Sequence, residues 1–156
     1  MHSRHTLLYI IGLAVLLVGC DRQTVFNHFE HTALTGWERN DSLLFDIPPV
    51  AKSCDYVEEV GLRVTGAYPF IGISLIIEQT VYPSLVSHRD TLNCTLTDRQ
   101  GNVTGGGVSQ YQYQFPLKLL RLRQGDSLHV ALRHDMKREI LPGIADVGLI
   151  LRQHSH

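Results

Sequence analysis

Ser127-Leu128-His129-Val130-Ala131-Leu132-Arg133-His134 decides the fold class. Its hydropathy repeats every two residues, so Leu128, Val130 and Leu132 share one face of an extended strand. His129, Ala131 and Arg133 share the other. The same alternation recurs in Val60-Leu62-Val64, Ile73-Leu75-Ile77, Leu92-Cys94-Leu96 and Val147-Leu149-Leu151. Turn-forming residues separate these runs: Pro48-Pro49, Tyr68-Pro69, Asp98 to Asn102, Gly105-Gly106-Gly107, Gln124-Gly125-Asp126 and Pro142-Gly143. Gly101-Asn102 sits between two strand candidates as a hairpin turn. No stretch carries a long apolar stripe of helical period, although Met136 to Leu141 could take one helical turn. Many short strands with frequent turns predict an all-β chain, an antiparallel β-sandwich of jelly-roll type. The sandwich is expected over 41–152, with residues 153–156 as a disordered tail.

Outward from this domain, the N-terminus has a different character. Leu7 to Val18 is an unbroken apolar run of twelve residues that includes one glycine, preceded by Arg4. As a helix it would span about 18 Å at ~1.5 Å per residue, against a hydrocarbon core of about 30 Å. It fits a signal-peptide core and is too short for a membrane span. The following Leu17-Val18-Gly19-Cys20 resembles the bacterial lipobox, whose cysteine accepts diacylglycerol before the chain is cut ahead of it. Residues 1–19 are therefore expected to be a lipoprotein signal peptide, with Cys20 as the lipidation site. Several acyl chains hold a protein on its bilayer stably, where one holds it only marginally. Residues 20–40, polar with scattered aromatics, are expected to form the lipidated N-terminus and a tether.

Charge narrows the partners. Lys and Arg number 14 and Asp and Glu 15 in the whole chain, and Arg4 leaves with the signal. Such a balance gives no reason to expect nucleic acid. Once Cys20 is acylated, Cys54 and Cys94 remain. An exported protein permits a disulfide between them, and two unpaired thiols on separate strands are the other reading.

Residues with chemical potential are scattered. No metal site and no cofactor is expected from the nine histidines. His28 and His31 would converge only on a helix, His129 and His134 face opposite sides of a strand, and His154 and His156 lie at the C-terminus. No catalytic residues are assigned: there is no Gly-x-Ser-x-Gly elbow and no phosphate loop, and Glu58 and Glu59 are adjacent in a strand and point apart. Convergence of His134, Asp135 and Asp146 in a deep pocket would favour an enzyme, and a shallow surface there would count against one. Lys118, Arg121 and Arg123, set among leucines, could meet lipid headgroups or an acidic partner, or could blunt a strand edge. Tyr111 and Tyr113 share a strand face and could stack on a sugar or a partner, or simply pack. Asp41-Ser42-Leu43, Asp90-Thr91-Leu92 and Asp126-Ser127-Leu128 resemble the O-glycosylation acceptor of exported Bacteroidota proteins, which makes Ser42, Thr91 and Ser127 candidates. Each could equally be an aspartate opening a strand.

The order of motifs resembles the gliding motility lipoprotein GldH family of Bacteroidota. The match begins with Phe29 and with Trp37, Asp41 and Phe45 in a Gly-Trp-x-x-x-Asp-x-x-x-Phe block. It continues through Arg63, Tyr68-Pro69-Phe70, Asp90-Thr91, Asp98-x-x-Gly101, Gly105 and Gly107. Its last block is His134-x-Met136-Lys137-x-x-x-Leu141-x-Gly143-Ile144-x-Asp146-Val147-Gly148-Leu149. The chain departs from the pattern at Lys137, where arginine is expected, and at Val103. The resemblance implies a non-catalytic, lipid-anchored envelope protein, on the outer membrane, that binds proteins of the motility or type IX secretion machinery. It supplies no catalytic residues. The surface expected to make contacts comprises Tyr111, Tyr113, Met136, Lys137 and Arg138. The alternative is a module that binds carbohydrate or peptidoglycan.

Overall fold

The computed structural model describes residues 23–154. They form ten strands: β1 (Thr24–His31), β2 (Trp37–Glu38), β3 (Leu43–Ile47), β4 (Cys54–Thr65), β5 (Gly72–Tyr82), β6 (Val86–Thr95), β7 (Gln110–Leu122), β8 (Ser127–His134), β9 (Ile140–Leu141) and β10 (Ile144–Gln153). One sheet has the order β1-β10-β4-β7 and the other β3-β8-β5-β6, and β2 and β9 pair separately. The long strands pair in nested fashion, β5 with β6, β4 with β7, β3 with β8 and β1 with β10, all antiparallel. This is the pairing of one long ribbon rolled up on itself, the jelly-roll arrangement the turn spacing predicts.

The core lies between the sheets. The period-two positions supply it: Val60, Leu62, Leu75, Ile77, Val130, Leu132, Val147, Leu149 and Leu151 are all fully buried. Gly101 closes the expected hairpin turn, with its N–H bonded to the Asp98 carbonyl and Thr97 bridging to Val103.

Two expectations are corrected, and one question left open is decided. First, the sandwich starts at Thr24, inside the segment assigned to a tether. β1 runs along β10 with Phe29 opposite Gly148 and His31 opposite Asp146. It is an edge strand with one open side, so it carries Asn27, His28, Glu30 and His31 and has no clean apolar alternation. Its Phe26 packs against the core. Gln153 and His154 are held too, their N–H groups donating to the carbonyls of Gln23 and Asp55. The signal peptide and Cys20 lie outside the described residues. Second, Met136 to Leu141 forms no helical turn. Ile140–Leu141 instead pairs with Trp37–Glu38, and the Arg39 N–H extends the pairing to the Glu139 carbonyl at 2.8 Å.

Third, of the two readings left open for Cys54 and Cys94, the structure carries the unpaired one: among the described residues both are free thiols. Cys54 opens β4 at one end of the sandwich, whereas Cys94 lies across from Ile73. Cys94 is beside Tyr68, whose phenol it influences, and Tyr68 follows the far end of β4. The length of β4, about 36 Å at ~3.3 Å per residue, lies between the two ends. A disulfide needs Cα atoms within about 7 Å.

Candidate functional site

The two ends of the sandwich differ. The lower end is where β1 begins, and the upper end is where β4 stops at Thr65. Most of the motif residues gather at the upper end, and the structure shows what each does there.

Trp37 is fully buried, with its indole N–H donating to the Asp41 carbonyl at 2.9 Å. Its ring meets His134 edge-on at 5.2 Å between centroids. His134 Nε2 lies 3.1 Å from the Trp37 carbonyl, and the Met136 N–H lies 3.4 Å from Nδ1. A carbonyl only accepts and an amide N–H only donates, so one neutral tautomer, protonated at Nε2, satisfies both. Burial, helped by the charge of Arg39, holds the imidazole below its usual range. His134 is thus a buried strut. Asp135 is exposed and faces Arg39 at 3.8 Å. Asp146 accepts from His31 and from Arg63. The three side chains considered for catalysis are each committed to other partners.

Tyr68 donates its hydroxyl to the Gly72 carbonyl at 2.8 Å, and its ring meets Phe70 edge-on. Gly143 turns beside it at φ 84°, where an added Cβ would lie 2.3 Å from the Tyr68 nitrogen. Only glycine fits that turn. On the outer face of β1 and β10, the Phe29 ring covers Gly61 and Gly148, which sit opposite each other. The Arg63 guanidinium stacks 4.2 Å above that ring, a cation–π contact that also orients Arg63 toward Asp146.

The expected contact residues divide. Tyr113 is buried, donates its hydroxyl to the Leu96 carbonyl at 2.9 Å, and packs against Gly105 and Phe115. Tyr111 is half-buried against the core. Their shared face is the inner one, so the pair forms no stacking platform. The physical reason is the sheet pleat, which turns alternate β7 residues toward the second sheet and the core. Met136 is half-buried and its sulfur accepts the Ser74 N–H at 3.4 Å. Lys137 and Arg138 are exposed. Of the glycosylation candidates, Ser42 and Thr91 are exposed and Ser127 is half-buried. Lys118 and Arg121 lie on β7, the edge of its sheet, and Arg123 just past its end; Lys118 bonds Asp90 at 2.7 Å, whereas Arg121 faces Asp55 at 3.4 Å with its side chain still 84% exposed.

Sequence reasoning missed the apolar residues that the upper loops present to solvent. Leu34, Ile71 and Val108 are largely or fully exposed, with Phe70, Val103 and Ile140 partly so. A signal was present for Leu34 and Val108, apolar residues at loop positions between small neighbours; Ile71 gave none, because it continues the period-two run of Ile73, Leu75 and Ile77. Isolated exposed apolar residues are ordinary, but several on the loops of one end suggest a contact surface. Among the described residues, no group of His, Cys, Asp and Glu is placed to hold a metal ion.

Fold and surface together define a jelly-roll module whose distinctive sequence serves to shape loops at one end. The GldH lipoprotein family model matches residues 24–151, and the chain belongs to that family. No curated protein matches it at a significant level. Among solved structures, a GH115 4-O-methyl-α-glucuronidase, BtGH115A, aligns at 12% identity and TM-score 0.47, over 87% of this chain and 18% of its own. Eiger TNF from S. frugiperda aligns at 13% identity and TM-score 0.31, over 86% of this chain and 94% of its own. The infectious bursal disease virus VP2 subviral particle aligns at 11% identity and TM-score 0.36, over 83% and 30%. The chain thus spans less than a fifth of the glucuronidase. Likeness at these scores carries no functional argument.

Proposed function

We propose that the chain is a non-catalytic docking module of the cell envelope. Lipid on Cys20 holds it to the outer membrane, and its upper loops receive a protein of the gliding motility or type IX secretion machinery. Membership of the GldH lipoprotein family supports the setting. The observation that carries the docking role is the set of exposed apolar side chains on the upper loops, at the end opposite the one where β1 begins. A tethered protein presents its far end to partners, and apolar loop residues on a rigid sandwich are suited to contact. The competing sugar-binding reading loses its aromatic platform, because Tyr113 is buried.

The test is a photo-cross-linking side chain placed at Ile71, in the cell that makes the protein. A second, at the exposed Leu44 on β3, serves as control. Adducts with motility or secretion components from Ile71 and not from Leu44 support the reading. Retention on a glycan array with no protein adduct from either position sinks it. The exposed Ser42 and Thr91 also fit modification by glycan, which an intact mass exceeding chain plus lipid would reveal.

A further inference from the structure

We propose that the lower end is itself a membrane-contact surface, in which the β5–β6 hairpin tip enters the headgroup layer of the bilayer that holds Cys20. The inference rests on the reading that Cys20 carries lipid. Its first support is reach. Gln23 is fixed by the Gln153 N–H at 2.7 Å, and Cys20 lies three positions before it. Three extended residues span about 10 Å. A module whose β4 alone is about 36 Å long is therefore held to the bilayer by its lower end.

The second support is what that end presents. The chain turns from β5 to β6 there, and the tip exposes Tyr82, Leu85 and Val86, with Leu85 65% accessible. Leu85 adopts φ 59° at the turn, and its side chain is exposed to solvent. Beside the tip, a groove of about 870 Å³ runs along β7 to the Arg123–Asp126 turn. Leu119, 59% exposed, lines it together with Arg121 and Arg123. Lys52 is exposed in the neighbouring β3–β4 loop. Apolar and aromatic residues beside long cations match the boundary between acyl chains and anionic headgroups. A protein partner would have to enter the space that a tether of about 10 Å leaves between this end and the bilayer, which favours lipid as the occupant.

The experiment uses the full acylated protein in vesicles of phosphatidylethanolamine and phosphatidylglycerol with brominated acyl chains. Leu85→Trp and, at the upper end, Val108→Trp are compared. The buried Trp37 gives both the same background. Insertion by a few ångströms is expected to quench the Leu85→Trp emission about twofold more than that of Val108→Trp. Val86→Trp repeats the measurement without touching the positive-φ position, should Leu85→Trp fail to fold. Equal or absent quenching in protein whose mass shows the lipid overturns the contact and leaves the anchor standing. A mass without lipid on Cys20 overturns both.

Discussion

The Gln79 side-chain amide donates to the Glu58 carboxyl at 3.3 Å across the gap between the two sheets, with both side chains buried. The other Glu58 oxygen and the Gln79 amide oxygen, Oε1 in both cases, have no partner among the described residues. A buried unsatisfied acceptor is costly, and a proton on Glu58 would supply the hydrogen this pair lacks. Burial pushes the Glu58 carboxyl up to about 7, against the opposing pull of the Gln79 bond and the Lys118 charge.

A pH dependence follows from that pair. Between the ordinary value of 4.5 and about 7, the folded chain holds a proton that the unfolded chain has released. Stability therefore falls as pH rises through this window, by up to roughly 3 kcal/mol. Glu58→Gln keeps the shape and removes the titration, and the new amide can pair with Gln79 in both directions. Urea unfolding at pH 5 and pH 8 should show a smaller loss of stability for the variant than for the parent. Equal losses would show that Glu58 does not titrate in that range.

His134 acts with the opposite sign. Its folded imidazole stays neutral under Trp37 below the usual histidine range, while the unfolded one protonates near about 6.5. Stability present above that value is lost as pH falls through it toward the depressed folded value. His134→Gln should be less stable at pH 8 by roughly 1–3 kcal/mol, through lost packing and a lost hydrogen bond. Its stability should nonetheless decline less steeply than the parent's below pH 6.5. Parallel unfolding curves across that range would contradict a neutral, buried His134.

Phe29 and Gly148 should behave as one unit. An alanine Cβ at 148 would sit 2.6 Å from the Phe29 ring, so Gly148→Ala must displace the ring. Phe29→Ala alone uncovers the glycine pair and should cost about 1–3 kcal/mol. Combining the two should cost less than their sum, by about 1 kcal/mol or more, measured as a double-mutant cycle of unfolding free energies. Strict additivity would mean that the ring does not rest on Gly148.

The thiols should be distinguishable by rate. Burial pushes the Cys94 thiol up to about 12, and thiolates, not thiols, react. Denatured, unreduced protein acylated at Cys20 should yield two titratable thiols, from Cys54 and Cys94. In the native state the half-buried Cys54 should label well before Cys94. A count of zero would restore the disulfide.

The strand content was legible because a sheet with one buried face imposes period two on its sequence, and Leu128-His129-Val130-Ala131-Leu132 obeys it. The edge strand β1 was not legible: with one side open to water, Asn27, His28, Glu30 and His31 carry no such constraint. The face of Tyr113 was equally hidden. Alternation groups Tyr111 with Tyr113, but it cannot say which side of β7 meets the second sheet.

The linear order of residues by itself determined the all-β class, the turn positions and the family, since these depend on local periodicity and on motifs that survive without coordinates. Only the tertiary structure decided the rest. The nested pairing holds Cys54 and Cys94 at opposite ends, sets Glu58 against Gln79 from different sheets, and divides the apolar loop residues between an upper and a lower end. Those relations depend on which distant strands become neighbours, and that choice is made by burial summed over both sheets and not by any segment alone.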